Sequence, residues 1–180
     1  MSVCLILGPM FSGKSTELHR QIDRYVRAKK KCICITHGND LRYSTDDVLM
    51  THSGLTYPAI RASNLADIPL ETFDDVEMIC IDEGQWFDDI AAFAHTWAYC
   101  GKHVVIAALQ STYEKKEWKN VVPLFVEVNQ LILLTAVCVT CGADASFTRR
   151  LSDETALDVV GGEDKYIAQC RKCFIDFPSR

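Results

Sequence analysis

The run Gly8-Pro9-Met10-Phe11-Ser12-Gly13-Lys14-Ser15 fits the pattern G-x-x-x-x-G-K-[ST], and its neighbours narrow what the chain can fold into. Before it stands an apolar run, Val3 to Leu7, that reads as a buried strand. After it Leu18, Ile22, Tyr25 and Val26 recur at offsets that share one helix face. Strand, glycine turn and helix are the context in which this pattern binds phosphate. Glycines let the backbone curl so that successive N–H groups converge on an anion, and the helix adds the positive end of its dipole. Lys14 supplies a point charge, Ser15 offers a hydroxyl to a magnesium ion, and Thr16 continues the helix. A chain with this start is expected to bind a nucleoside triphosphate. Glu17 reads as a solvated acid at the helix start.

Strand-like and helix-like segments alternate as far as Leu109, which predicts an α/β unit with a largely parallel sheet. Expected strands run over 31–36, 77–82, 102–109 and 130–136, with a short edge strand over 55–61, because Pro58 cannot serve a central one. A helix is expected from Trp86 through Trp97, with Asp88 and Asp89 in its first turn and Gly101 closing it. Residues 110–120 are polar with Tyr113 and Trp118 interleaved, which suits a site loop and a flat ligand. Past residue 136 the character changes to paired cysteines, short β-like runs and glycines. A division into 1–136 and 137–180 is therefore expected. The net charge of −5 and pI near 5.5 argue against direct nucleic-acid binding, which usually leaves a basic footprint. No apolar run approaches the ~20 residues of a membrane helix. The apolar strand starts almost at Met1, which leaves no room for a signal peptide, so an intracellular, reducing setting is expected.

Two further groups carry chemistry. Asp82 and Glu83 end the apolar run Ile79-Cys80-Ile81. An acid at the carboxyl end of such a strand can hold magnesium, and a carboxylate one step on can take a proton from an attacking hydroxyl. The alternative is that both acids merely cap the next helix. Cys138-x-x-Cys141 and Cys170-x-x-Cys173 are two close pairs with 28 residues (142–169) between them. Four thiolates on two tight turns suit a closed, structural zinc site, with a redox dithiol and coincidence as the alternatives. The remaining cysteines, Cys4, Cys32, Cys34, Cys80 and Cys100, sit among apolar residues and read as small hydrophobes. Arg42, in the polar loop around Asp40, suits either a transferring phosphoryl group or a solvated surface. The histidines show no ligand spacing. Trp86 and Phe87 are most simply core.

In combination these elements resemble the type II thymidine kinases, the family of the cellular cytosolic and poxvirus enzymes. The likeness is carried by Gly8 to Leu18, by Asp40-x-Arg42-Tyr43 and by Asp82-Glu83-Gly84-Gln85-x-Phe87. Further on it is carried by Leu134-Thr135-Ala136-Val137-Cys138-x-x-Cys141 and by Gly161-Gly162-x-Asp164-Lys165-Tyr166. The length is closer to the short viral forms. The resemblance implies a P-loop (RecA-like) α/β domain with a small C-terminal zinc-binding lobe that carries a lasso-like loop. It implies transfer of the ATP γ-phosphoryl group to the 5′-hydroxyl of thymidine or deoxyuridine. On that footing Gly8 to Thr16 hold phosphates, Ser15, Asp82 and Asp40 serve magnesium, Glu83 is the general base and Arg42 stabilises transferring charge. Met10, Trp86, Leu109, Tyr113 and Trp118 would line the thymidine pocket, and Thr148, Leu157, Val159 and Tyr166 would belong to the loop that closes it. Cytoplasmic location, a homotetramer and feedback by dTTP are further implications. The chain departs from the family at Gln110-Ser111-Thr112-Tyr113, where Asp or Asn, Gly, a small residue and Phe are usual, and at Trp86, where Phe is usual.

Overall fold

A computed structural model describes residues 1–38, 48–50, 56–152, 154, 156 and 161–176, with the backbone alone described at 48–50 and 56. Strands β1 (Ser2–Gly8), β2 (Cys32–His37), β3 (Val48–Met50), β4 (Thr56–Ala62), β5 (Met78–Ile81), β6 (His103–Leu109) and β7 (Gln130–Leu133) form one sheet in the order β3-β4-β2-β5-β6-β1-β7. All adjacent pairs are parallel except β3 with β4. Two two-stranded ladders lie further along the chain: β8 (Ala136–Val137) with β9 (Asp144–Ala145), and β10 (Phe147–Arg150) with β11 (Tyr166–Gln169).

Parallel strands covered on both faces need continuous apolar runs rather than alternation. β1 and β6 are such runs, and alternate residues of each enter opposite cores. Cys4 and Ile6 of β1 meet Leu18 and Ile22 of helix α1 (Lys14–Arg27), with Cys34, Cys80 and Val105 alongside. Val3, Leu5 and Leu7 turn to the other face. There Ile90, Phe93 and Ala94 of helix α2 (Ile90–Tyr99) pack with Phe73, Phe87 and Ile106. Burying each such side chain is worth about 1.5–3 kcal/mol, so the two helices are held by their apolar faces rather than by caps. The α1 face is narrower than the periodicity implies, since Val26 is 44% exposed.

Three expectations are corrected. The strand over Pro58 is not the edge, because β3 lies outside it. The ladder to β2 begins only at Cys34↔Ala59, and Pro58 stands opposite Val48 of the three-residue β3, so no long ladder is asked of a residue without an N–H. Helix α2 starts at Ile90 rather than Trp86. Gly84–Trp86 forms a 3₁₀ turn, and the Asp89 carboxylate accepts the Ala66 N–H at 2.9 Å instead of facing its own helix. The strand expected over 130–136 divides into β7 and β8.

His103, at the start of β6, ties the lower end of the sheet. Its Nδ1 pairs with the Ser2 hydroxyl at 2.5 Å, and its ring stacks on Tyr25 at 5.1 Å. Burial first, then the charge of the N-terminus, holds its pKa below the usual 6.5. The unfolded chain therefore binds a proton that the folded chain refuses. Stability is full above about pH 6.5 and declines as pH falls through that value toward the folded pKa. Thermal melts between about pH 7.5 and 5.5 should show this decline, and a His103→Phe variant should show a flatter one.

Candidate active site

The carboxyl ends of β1, β5 and β6 meet on one side of the sheet, where open α/β folds bind ligands. β1 delivers the glycine loop. A Cβ at Gly8 would lie 2.4 Å from Ser12 Oγ and 2.9 Å from the Leu134 carbonyl oxygen, so only glycine fits there. Phe11 (φ 65°) and Gly13 (φ 82°) take the left-handed conformation that reverses the chain into α1. Ser12 Oγ and Lys14 Nζ both donate to the Pro9 carbonyl at 2.8 Å. Lys14 is 8% exposed, a buried ammonium beside the amino end of α1. The Met10 N–H donates to Thr148 Oγ1 of β10 at 2.9 Å. Phe11 packs against a small apolar cluster of Ala136, Cys138, Ala145 and Ala168.

β5 delivers the acids. Ser15 Oγ donates to Asp82 Oδ2 at 2.8 Å, and the Glu83 N–H donates to Asp82 Oδ1 at 2.9 Å. Both carboxylates are more than nine-tenths buried. The reading of the two acids as simple helix caps fails, because α2 begins seven positions past Glu83 and no side chain caps the 3₁₀ turn. Glu83 itself is left-handed (φ 53°, ψ 40°), a conformation that costs a non-glycine residue about 1 kcal/mol or more and persists only where the surroundings demand it. Those surroundings are two residues to which the sequence assigns no role. Gln85, 2% exposed, donates through Nε2 to Glu83 Oε2 and accepts the Leu109 N–H at 2.9 Å. Asn120 Nδ2 donates to the carbonyls of Gln85 at 2.6 Å and Phe87 at 3.0 Å. Gly84 is fixed by close packing, since a Cβ there would sit 2.6 Å from Ile106 Cγ2. Gly84→Ala is expected to destabilise the fold by about 1–3 kcal/mol, the usual range for overpacking, and urea denaturation checks this.

Among the aromatics, Trp86 and Trp118 meet edge to face at 5.2 Å. With Gln85, Thr112, Lys116 and Asn120 they bound a cavity of about 430 Å³, within the usual ~300–1,000 Å³ of small-molecule sites. Met10, Leu109 and Tyr113 are not part of its lining. Tyr113 stacks instead on Arg150 at 3.8 Å, and Gln110 Nε2 donates to the Ser146 carbonyl. Tyr166 is 6% exposed on β11, and its hydroxyl accepts from Arg150. Asp40, Arg42, Leu157 and Val159 lie outside the described residues.

The sulfur atoms of Cys138, Cys141, Cys170 and Cys173 all lie within 4.8 Å of one another, the one such group among the described residues. Cys138 and Cys141 flank a tight turn in which the Gly142 N–H donates to the Cys138 carbonyl at 2.8 Å, with Gly142 at φ 77°. The Cys173 N–H donates to Cys170 Sγ at 3.5 Å. Backbone hydrogen bonding, at Cys170 above all, lowers the Cys138 thiol to about 6, whereas hydrogen bonding to Cys141 pushes Cys173 up to about 12. Four clustered thiols with one already acidic fit a soft divalent cation such as zinc. Among the described residues no helix is long and apolar enough to cross a membrane.

The thymidine kinase family model matches residues 1–174. Curated relatives include the thymidine kinases of Vaccinia virus (strain Western Reserve) and Variola virus (isolate Human/India/Ind3/1967), each 46% identical over 172 residues. That of Monkeypox virus is 45% identical over the same length. In all three the match spans 96% of this chain and 96% of the relative.

Proposed function

The chain belongs to the thymidine kinase family, and from that premise we propose that it transfers the γ-phosphoryl group of ATP to the 5′-hydroxyl of thymidine or deoxyuridine. The reaction yields the nucleoside monophosphate for deoxynucleoside salvage. The observation that carries the reading is the junction of Ser15, Asp82 and Glu83. The Asp82 carboxylate accepts the Ser15 hydroxyl at the amino end of α1, next to a buried lysine, and the equally buried Glu83 follows it directly, its N–H tied to the same carboxylate. Phosphoryl transfer asks little covalent chemistry of a protein; it asks for position and for compensation of charge.

On this proposal the loop from Gly8 to Thr16, through every backbone N–H except at Pro9, which has none, and the Lys14 ammonium receive the phosphates. Ser15 and Asp82, joined by Asp40, are hard oxygen donors that suit magnesium, which when bound offsets the negative charge of the phosphate oxygens. Glu83 accepts the proton of the 5′-hydroxyl as its oxygen attacks, held in aim by Gln85. Arg42 balances charge on the group in transit. Trp86 and Trp118 supply flat apolar surface for the base. Met10, Leu109, Tyr113, Thr148, Leu157, Val159 and Tyr166 complete the nucleoside side, with Leu157 and Val159 on a lasso-like loop that runs from the β10 strand of Thr148 to the β11 strand of Tyr166 and is anchored by the cysteine cluster. Zinc held by the four cysteines has a structural role, and the boundary near residue 136 separates the phosphate domain from this lobe. The proposal extends to a cytoplasmic homotetramer inhibited by dTTP, both measurable by light scattering and by inhibition kinetics.

The test is a coupled assay of ADP formation with ATP and magnesium across a nucleoside panel. Thymidine-dependent turnover is the expected result. Turnover only with another nucleoside would overturn the substrate, and turnover with none would overturn the activity.

A further inference from the structure

Arg150 closes β10 and has no part in the phosphate chemistry, yet it is 9% exposed and tied in every direction. Its guanidinium carbon lies 3.8 Å from the centre of the Tyr113 ring and 5.2 Å from that of Tyr166. Nη2 and Nε donate to the Tyr166 hydroxyl at 2.7 and 3.2 Å. Nη1 donates to the Glu154 carbonyl at 2.9 Å and to the Ala156 carbonyl. The same neighbourhood is framed by the Leu151 N–H, which donates to the Lys165 carbonyl at 2.8 Å. Lys165 Nζ in turn sits 3.2 Å from the Glu154 carboxylate.

We propose that Arg150 is a positioning residue for nucleoside binding, locking Tyr113, Tyr166 and the backbone at Glu154 and Ala156 into the one arrangement that receives the base. This rests on the nucleoside kinase reading above. Tyr113 belongs to the loop after β6, on the body of the sheet, whereas Tyr166 opens β11 and residues 154 and 156 lie between β10 and β11 in the chain. Arg150 joins the two through a single rigid group. Only a guanidinium can do this: it is planar enough to stack on a ring, forked enough to donate along three directions, and stays charged when buried. Its nitrogens are engaged by protein oxygens, so it organises the site rather than binding an anion itself. On the proposed function Tyr113 and Tyr166 serve the nucleoside, while Lys14, Ser15 and Asp82 are held by contacts of their own.

The full-length, zinc-loaded protein is compared with Arg150→Met and Arg150→Lys by steady-state kinetics in thymidine and in ATP. Loss of these charge-assisted bonds should raise the thymidine KM about 10-fold in Arg150→Met while the ATP KM stays within about 2-fold. Arg150→Lys keeps the charge without the fork and should fall between. An unchanged thymidine KM, or an equal rise in both KM values, would overturn the proposal. A Glu-specific protease gives a second reading free of activity. Cleavage after Glu154 and Glu163 should be about 10-fold faster in Arg150→Met, and cleavage at the wild-type rate would overturn the lock. Were the wild-type protein inactive on thymidine, the function would fall while this protease comparison still judged Arg150.

Discussion

Replacing Glu83 by Gln is expected to cut turnover by roughly 10²-fold or more, the usual scale for loss of a general base, while leaving ATP binding almost intact. The two side chains have the same length and shape, so the left-handed turn at residue 83 and the packing of Gly84 on Ile106 persist. What disappears is the ability to take a proton. The Gln85 amide, which donates to Glu83 and is itself anchored by the Leu109 N–H, continues to hold the replacement in place. Ser15 and Asp82 are untouched and keep their mutual hydrogen bond. Steady-state kinetics with calorimetric titration of ATP separates the two effects. Near-wild-type turnover in this variant would mean that another group accepts the proton.

The second large effect is expected at the cysteine cluster. Cys141→Ser and Cys173→Ser should each lose bound zinc, melt at a lower temperature and retain little nucleoside turnover. The reason lies in how little apolar core surrounds these residues: Ala136, Cys138, Ala145 and Ala168, with Phe11, Cys170 and Cys173 at the margin. Four small side chains cannot offset the ordering entropy of such a region, whereas a structural zinc site contributes about 10–16 kcal/mol in small peptides at neutral pH. Phe11 carries the loss into the glycine loop, and Thr148 carries it to Met10. Metal analysis beside calorimetry and turnover checks this. A metal-free variant with full activity and an unchanged melting temperature would remove the structural role. Because bound thiols must be deprotonated, zinc should also be released as the solution is acidified.

What was legible in the sequence follows the strength of the local signal. After Ser2 and His103 at their starts, β1, β5 and β6 are apolar runs of Val, Ile, Leu, Met, Ala and Cys, as a covered parallel sheet requires. The paired cysteines were legible because spacing alone brings two thiols to one turn. The left-handed Glu83 was not legible, because its conformation comes from Gln85, Asn120 and the close packing of Gly84, none of which has a periodic signature. Trp86 and Phe87 continued the helical period of Ile90 and Phe93, but tertiary contacts drew them into a separate turn. Tyr113 in a polar loop suggested a ligand, and it faces Arg150, a pairing across 37 positions of chain that no local pattern reveals. Pro58 misled in the other direction, since a three-residue neighbour was enough to cover its strand.

The placement of β1 has a consequence for how the protein is made. It lies between β6 and β7, and it is joined to them by Ser2 with His103 and by Val3 with Asn129, contacts 101 and 126 positions apart. During translation this strand, apolar on both faces, leaves the ribosome long before either neighbour exists. It cannot pair until most of the chain has emerged, so the sheet closes late and around its earliest segment. β1 is therefore open to wrong partners for as long as its neighbours are unmade, and co-expression with a holding chaperone should raise the soluble yield.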